Sequence, residues 1–151
     1  MISYREMRWG EEERVAELVA RVFNQWVAPD YTDEGLRAFL SYAGPEKIAA
    51  RSGEDHFVLV AEEVNRFVGM IEIRRLEHIS LFFVEPVGRG VGRELLDRAL
   101  AICRERSPEL GRVTVNSSPY AVPIYERLGF RVQEVEQIAR GMRYVPMSLD
   151  L

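Results

Sequence analysis

The chain has 151 residues, of which 47% are hydrophobic and 29% are charged, and its formal net charge is −4. This length fits one domain, and the composition has neither the polarity of a disordered chain nor the apolar run of a membrane span. The negative charge argues against a nucleic-acid partner, which requires a concentrated basic face, and would suit a cationic acceptor. We therefore expect residues 1–151 to form a single domain that binds neither nucleic acid nor membrane.

The sequence lacks the signals of targeting and of thiolate metal binding. The first residues are charged almost from the outset, without the basic start and apolar stretch of a secretory signal, so we expect a cytoplasmic location. Cys103 is the only cysteine, which excludes an intrachain disulfide and a thiolate zinc cluster. Because Cys103 falls at an apolar position of a helical pattern, we expect a small core residue and no metal.

The first part of the chain predicts a strand followed by two helices. Residues 2–8 alternate loosely, as a strand does. Apolar residues within 15–26 recur at i, i+3, i+4 and i+7, which is the stripe of an amphipathic helix. Thr32 or Asp33 is suited to cap a second helix, which extends to residues 40–42.

Three strands are predicted next. The segment GPEKIAARSG at 44–53 predicts a turn with room for a short helix. Residues 56–63 and 66–75 are rich in β-branched side chains and are joined at residues 64–65, as in a hairpin. A third run of this type occupies 78–84.

The rest of the chain alternates between helix and strand. From residue 91 the helical period returns and continues to about residue 107. A short strand, RVTVN, comes next. Ser118 is suited to cap a further helix with Pro119 at its first position, and Gly129 to end that helix. FRVQEVE and RYVPMSL predict two final strands, so the order indicates a mixed α/β fold rather than a strict alternation.

The stretch VEPVGRGVGRELL, at residues 84–96, joins a predicted strand to a predicted helix. Such a turn leaves unpaired N–H groups at the positive end of the helix dipole, where anions bind. Glycines let the backbone approach a ligand, and arginines add charge-assisted contacts to phosphate. These residues are Gly88, Arg89, Gly90, Gly92 and Arg93. We infer a pyrophosphate site, the alternative being a tight connection that binds nothing.

The glycine spacing excludes two common nucleotide sites. A dinucleotide fingerprint requires G-x-G-x-x-G in an early βαβ unit, whereas this loop reads G-x-G-x-G and lies past the middle of the chain. A nucleoside-triphosphate loop requires a lysine followed by Ser or Thr, and the stretch contains no lysine. The pyrophosphate therefore belongs to another type of cofactor.

The glycine loop and a later segment together resemble the GNAT superfamily of acetyl-CoA-dependent N-acetyltransferases. That family has a loop Q/R-x-x-G-x-G/A after a strand ending in V-x-P, and a later motif N-x-x-A-x-x-x-Y-x-x-x-G-F. The matching residues are Val84, Pro86, Gly90, Gly92, Ala121, Tyr125, Gly129 and Phe130. The resemblance covers about residues 66–130. Val87 stands at the Gln/Arg position, so we expect the loop to hold the pyrophosphate by its main chain.

The resemblance implies both a fold and a mode of cofactor binding. The fold is of the α+β type, with a mixed, mostly antiparallel twisted sheet of six to seven strands flanked by about four helices. Two central strands splay apart, and the pantetheine arm of acetyl-CoA fills the gap. The implied cofactor contacts are Phe82, Phe83, Val84, Gly88, Arg89, Gly90, Val91, Gly92, Arg93, Asn116 and Ser118. The main chain of the first three would pair with the pantetheine.

The resemblance also implies transfer of an acetyl group to an amine by direct attack. An alkylamine, with a pKa near ~10.4, arrives protonated, so a base must act. His78 and Glu72 are the candidates, the alternatives being an inert strand-end histidine and a solvent-facing carboxylate. Tyr125 is expected to protonate the departing thiolate, the alternative being a core aromatic. His56 has no evident partner and is expected at the surface.

Other functions and the acceptor stay open at this point. The chain could be a non-catalytic acyl-CoA-binding module, or it could acetylate protein N-termini or lysines. The resemblance places acceptor determinants in residues 26–43 and 138–147, which one sequence does not decode. A homodimer would be in keeping with the family.

Overall fold

The computed structural model describes residues 1–53, 55–85 and 88–151. Pro86 and Val87, to which the sequence assigns a strand end and a cofactor-loop position, lie outside the described residues. In chain order the elements are β1 (Ser3–Glu6), α1 (Glu12–Trp26), a short 3-10 helix (Ala28–Asp30), α2 (Asp33–Tyr42), α3 (Pro45–Arg51), β2 (His56–Glu63), β3 (Arg66–Arg74), β4 (His78–Val84), α4 (Val91–Arg106), β5 (Arg112–Ser117), α5 (Val122–Arg127), β6 (Arg131–Val132), β7 (Gln137–Ala139) and β8 (Met142–Asp150).

The strands form a mixed sheet in the order β1-β2-β3-β4-β5-β8-β6, with β7 paired to β8. Every pairing is antiparallel except that of β4 with β5. The predicted α+β fold with a mostly antiparallel sheet is confirmed. The described residues form eight strands and five α-helices, more than predicted, because 45–51 is a helix and 131–139 divides into two short strands.

The parallel pair β4–β5 is short, and this positions the site. The strands pair only at His78 with Thr114 and at Ile79 with Val115. Beyond these residues β4 continues to Val84 and β5 continues to Ser117, but the two strands no longer pair with each other. The two central strands therefore separate in the middle of the sheet, as the resemblance implies.

Each face of the sheet carries its own apolar core. On one face, α4 and α5 pack on β2–β5, and Cys103 is fully buried there, as predicted. On the other face, α1, α2 and α3 cover β2, β3 and β4. The stripe of α1 residues that the sequence places inward is buried: Val15, Leu18, Val19, Val22 and Phe23. No helix in the described ranges is both long and apolar enough to span a bilayer.

Local signals fix several element boundaries. Val64 and Asn65 have φ values of 48° and 61°, as a tight hairpin turn between β2 and β3 requires. Thr32 caps α2, and its hydroxyl accepts the N–H of Gly35 at 3.1 Å. Gly129 ends the α5 segment with a φ of 103°. The predicted hairpin, cap and helix stop are therefore confirmed.

The start of α5 differs from the prediction. Ser118 closes a turn, since its carbonyl and its hydroxyl both accept the N–H of Ala121. The helix then begins at Val122, with Pro123 in its first turn. A helix starting at Pro119 would require an N–H donor at Pro123, which proline lacks. The helix therefore starts later, so that Pro123 falls in the first turn, where no N–H donor is needed.

Candidate active site

A cavity of about 420 Å³ occupies the gap between β4 and β5. Residues 79–84 of β4 line one wall, and residues 115–118 line the opposite wall. The described end of the glycine loop, the first turn of α4 and α5 close the side nearest the α4 face. Residues from α1, the 3-10 helix segment and α2 close the other side. The cavity therefore passes through the sheet and opens toward both layers of helices.

The backbone of β4 faces the gap at alternate residues. The N–H of Glu85 donates to the carbonyl of Val68 on the β3 side at 2.8 Å. Because bonded and non-bonded pairs alternate in an antiparallel ladder, the polar main-chain groups of Phe83 point toward β3, and those of Phe82 and Val84 point toward the gap. Of the three predicted main-chain partners, Phe82 and Val84 thus offer their backbone to a ligand, and Phe83 offers its side chain.

The N-terminus of α4 forms one end of the cavity. Gly90 precedes the helix in the left-handed conformation, with a φ of 78°, and no side chain of the described residues caps the helix. The first helical hydrogen bond runs from the N–H of Glu94 to the carbonyl of Gly90, at 3.1 Å. The N–H groups of Val91, Gly92 and Arg93 consequently have no partner within the helix and lie at the cavity. This arrangement suits an anion such as pyrophosphate.

The arginines of the glycine loop differ in their surroundings. Arg89 forms a two-pronged pair with Glu63, at 2.8 and 2.7 Å, and is not among the cavity-lining residues. Arg93 lines the cavity and donates to the carbonyl of Arg127 at 3.2 Å. Arg127, at the end of α5, also lines the cavity, although no sequence motif marks it as a site residue. Arg93 and Arg127 thus supply positive charge at this end.

The two remaining predicted cofactor contacts lie on β5 and directly after it. Asn116 is exposed and lines the cavity. Ser118 also lines it, with its hydroxyl engaged by the N–H of Ala121 at 3.3 Å. Both predicted side chains are therefore at the gap, on the wall opposite Phe82 and Val84.

We expect Gly90→Ala to destabilise the protein and to weaken coenzyme A binding. The backbone conformation opposes the change, whereas a Cβ at Gly90 would meet no atom of the described residues within 4 Å. The left-handed conformation costs an alanine about 1–2 kcal/mol. Gly111→Ala is the matched control, since Gly111 is equally open and has no positive φ. Thermal unfolding and calorimetric titration of coenzyme A check this, and equal behaviour of the two variants would contradict it.

Tyr125 lies on α5 with its ring at the cavity wall. Its ring packs edge-on against Phe82 and Phe130, with centroids 6.0 and 5.3 Å away, and only 7% of the residue is exposed. Its hydroxyl makes no hydrogen bond to a residue in the described ranges. Burial raises the pKa of this phenol, so the hydroxyl stays protonated near neutral pH. Tyr125 is therefore both a core aromatic and a hydrogen-bond donor available at the cavity.

Glu72 is fully buried on the α1–α3 face of β3 and does not line the cavity. One carboxylate oxygen accepts hydrogen bonds from Arg51 Nη2 at 3.0 Å and from Ser80 Oγ at 2.8 Å. The other accepts from Arg51 Nε at 3.1 Å and lies 2.7 Å from His56 Nε2. All four lone-pair positions are thus occupied. The solvent-facing alternative for Glu72 is wrong.

The charge state of Glu72 follows from these contacts. Burial alone would raise the pKa of its carboxyl, but the hydrogen bonds from His56 and Arg51 outweigh burial and lower the pKa. Glu72 therefore stays ionised and is a weak proton acceptor. It reaches the cavity only through Ser80, which lines the cavity.

His78 is likewise placed away from the cavity lining. It lies at the start of β4, where Nδ1 is 2.8 Å from Thr114 Oγ1. Burial, together with the nearby Arg74, lowers its pKa to about 4, so the ring is neutral at pH 7. The structure therefore brings Tyr125 to the gap but neither His78 nor Glu72.

His56 lies in the interior, and the predicted surface position is wrong. It is buried, and its Nε2 contacts Glu72, although a surface position was expected. The hairpin register pairs Val58 with Glu72, so His56, two residues earlier, shares the face of Glu72. The pairing register of the predicted hairpin therefore indicates that His56 and Glu72 lie on the same face of the sheet.

The wall on the α1–α2 side of the cavity is aromatic and aliphatic. Its residues are Val22, Trp26, Val27, Tyr31, Phe39 and Phe83. Trp26 stacks on Tyr120 from across the gap, with centroids 5.7 Å apart and planes at 12°. This wall includes part of the predicted acceptor segment 26–43. From 138–147, the other predicted segment, no residue lines the cavity in the part of the chain that the structure describes.

Comparisons with known proteins identify the family and agree with the fold. The family model of the acetyltransferase (GNAT) domain matches residues 27–151. A GCN5-related N-acetyltransferase from Rhodopseudomonas palustris superposes with a TM-score of 0.83 at 23% identity, over 99% of this chain and 95% of that chain. The PaiA N-acetyltransferase from Thermoplasma acidophilum, in complex with coenzyme A, gives 0.80 at 18% identity, over 100% and 99%.

A third similar structure is that of an enzyme named for its substrate class. An aminoglycoside 6'-N-acetyltransferase complexed with coenzyme A gives a TM-score of 0.70 at 12% identity, over 99% of this chain and 96% of that chain. The search of curated proteins found no match to this sequence. At these identities the structural likeness establishes the fold, and the family model establishes membership. The chain belongs to the acetyltransferase (GNAT) family and is an acetyltransferase.

Proposed function

We propose that the enzyme transfers the acetyl group of acetyl-CoA to a primary amine by direct attack in a ternary complex. The observation that carries the proposal is the cavity through the sheet, which has an anion-binding helix terminus on one side and an apolar wall on the other. Such a passage would let donor and acceptor meet in the gap between β4 and β5. Proximity of this kind supplies much of the rate enhancement in group transfer.

Acetyl-CoA would occupy the side nearest α4. The free N–H groups at the start of α4, with Arg93 and Arg127, would bind the pyrophosphate. The pantetheine arm would pair with the backbone of Phe82 and Val84, and an N–H group of β4 would polarise the thioester carbonyl as an oxyanion donor. Asn116 and Ser118 would contact the arm from the opposite wall.

Direct attack is favoured over an acyl-enzyme intermediate. Cys103 is the only cysteine, and it is fully buried among α4 core residues rather than at the cavity. Burial raises the pKa of its thiol to about 11, so the reactive thiolate is scarce at neutral pH. The sequence has no other thiol to carry the acetyl group, which favours attack of the amine nitrogen on the thioester carbonyl carbon itself.

The reaction balances without a net change in protons. The nitrogen–carbon bond forms, the carbon–sulfur bond breaks, and the amine loses one proton while the coenzyme A thiolate gains one. The Tyr125 hydroxyl would donate a hydrogen bond to the departing sulfur. Because burial raises the pKa of Tyr125, its main contribution is to stabilise the developing thiolate, and water completes the proton transfer.

The cavity offers no carboxylate or imidazole as a base among its described lining residues. We propose that Glu72 and His78 stabilise the fold and do not act as bases, and that the amine enters the cavity in its neutral form. An apolar site favours the neutral form, because burial disfavours the ammonium ion.

A thiol-release assay tests the proposed function. We expect free coenzyme A to appear only when both acetyl-CoA and an amine are present, in equal amount to the N-acetylated product measured by mass spectrometry. Coenzyme A binding by calorimetry without thiol release from any small amine or peptide would instead establish a non-catalytic binding module. Release with peptides alone would make this a protein acetyltransferase.

A further inference from the structure

Among the described residues, the acceptor side of the cavity has no negatively charged side chain that could pair with a polycation. Its wall on the α1–α2 side consists of apolar and aromatic side chains. Of the described residues that line the cavity, the charged ones are Arg93 and Arg127, and both lie at the helix terminus assigned to pyrophosphate. Asp30, in the adjoining 3-10 helix, is 3.7 Å from Arg143 and does not line the cavity. A second ammonium group on the acceptor would therefore lie against an apolar wall without a charged partner among the described lining residues, which is unfavourable.

Ser80 is the polar group that β4 presents at this end of the cavity. It is the extra residue of a β-bulge, because Glu72 pairs with Leu81 and Ile73 pairs with Ile79. Its hydroxyl hydrogen is committed to the ionised, buried Glu72 at 2.8 Å. The oxygen therefore offers only lone pairs to the cavity, and a hydrogen bond to a carboxylate makes it a stronger acceptor. Such an oxygen suits an amine N–H.

We propose that the acceptor is a monoamine with an apolar or aromatic body, bound in its neutral form with one N–H donated to Ser80 Oγ. This proposal rests on the proposed function. The overall negative charge of the chain would suit a cationic acceptor, but that charge is not at the cavity. The aminoglycoside enzyme with the same fold acts on a different class of amine.

A matched pair of substrates tests the proposed class of acceptor. Hexylamine and 1,6-diaminohexane have the same carbon chain and differ by one ammonium group, and 2-phenylethylamine adds an aromatic body. We expect kcat/KM for each monoamine to exceed that for the diamine by about 30-fold or more. An equal or higher value for the diamine would overturn the proposal while leaving the proposed function intact. Bound coenzyme A with no thiol release from any amine would overturn both.

Substitution of Trp26 tests whether the lack of charge at this wall selects monoamines over diamines. Trp26 is 42% exposed at the rim of the cavity, so it tolerates a polar replacement. We expect Trp26→Glu to raise the ratio of diamine to monoamine kcat/KM at least tenfold relative to Trp26→Gln, which removes the ring without adding charge. An unchanged ratio would mean that charge at this wall does not select the acceptor.

Variants of Ser80 test the proposed hydrogen bond between the amine and Ser80 Oγ. We expect Ser80→Ala to lower kcat/KM for hexylamine about tenfold without changing KM for acetyl-CoA. Ser80→Thr keeps the hydroxyl and should retain most of the wild-type kcat/KM.

The pH profile tests whether the amine reacts in its neutral form. The logarithm of kcat/KM should rise with pH up to the pKa of the amine supplied, and the pH at which the rise ends should change with the amine. A break that stays at one pH for all amines would indicate a base on the protein.

Discussion

Replacement of Tyr125 by phenylalanine is expected to lower kcat about 100-fold while leaving KM for acetyl-CoA nearly unchanged. The change removes one hydroxyl from a ring that keeps its packing against Phe82 and Phe130. That hydroxyl has no hydrogen-bond partner in the described ranges, so its loss leaves no buried group unsatisfied. The thermal midpoint should therefore stay within a few degrees of the wild type. Steady-state kinetics with a saturating amine make the measurement.

Tyr144→Phe is the matched control for this variant. Tyr144 is a half-buried tyrosine on β8 whose hydroxyl donates to Gln137 at 3.1 Å, and it does not line the cavity. We expect its removal to leave kcat within about twofold of the wild type, because the hydroxyl is remote from the gap. Equal kcat values for Tyr125→Phe and the wild type would show that Tyr125 is a core aromatic only.

Replacement of Glu72 by glutamine is expected to act mainly on stability. The carboxylate is fully buried and holds Arg51, and removing one partner of a buried ion pair costs about 3 kcal/mol. For a chain of this size the thermal midpoint should fall by roughly 6–12 °C. Folded protein at low temperature should keep kcat within about tenfold of the wild type. Calorimetric unfolding and kinetics on the same preparation measure both effects.

The controls for Glu72 separate a structural anion from a base. Glu94→Gln breaks the exposed pair of Glu94 with Arg98 and should move the midpoint little, since exposed pairs contribute about 0–1 kcal/mol. The loss of stability is expected in either case, so kcat of the folded protein decides. If Glu72 were the catalytic base, Glu72→Gln would lose about 100-fold or more in kcat at a temperature where it is folded.

The stabilising effect of Glu72 should depend on pH. Its pKa is lowered in the folded state, so its contribution is fully present above the ordinary carboxyl pKa of 4.5 and is lost as the pH falls through the folded pKa. The difference in unfolding free energy between wild type and Glu72→Gln should therefore shrink below about pH 4.5. His78, whose pKa is lowered to about 4, also destabilises the fold in acid, but it does so in both proteins and cancels in the difference.

Much of the fold was predictable because it rests on local patterns. The apolar period of α1, the Thr32 cap and the turn at residues 64–65 are short-range signals, and each is confirmed. The division of the last third into β6, β7 and β8 was not predicted, since short edge strands depend on pairing with β8 rather than on their own sequence.

The candidate site was predictable where a motif marks it. The glycine loop and Tyr125 stand at fixed spacings, and both come to the cavity. The surroundings of Glu72 were not predictable, because Arg51 lies 21 residues away in the sequence, on a helix whose segment mainly has the sequence pattern of a turn. The aromatic wall was equally hidden, since Phe39 and Phe83 meet only when α2 packs on β4, with ring centroids 5.8 Å apart.

Initial rates of thiol release, with the concentrations of acetyl-CoA and 2-phenylethylamine varied together, distinguish direct transfer from transfer through an acylated protein. Direct transfer in the gap between β4 and β5 requires both substrates to be bound at once, so double-reciprocal plots should give lines that intersect. Parallel lines would mean that coenzyme A leaves before the amine binds. That result would require an acylated group on the protein and would contradict direct transfer.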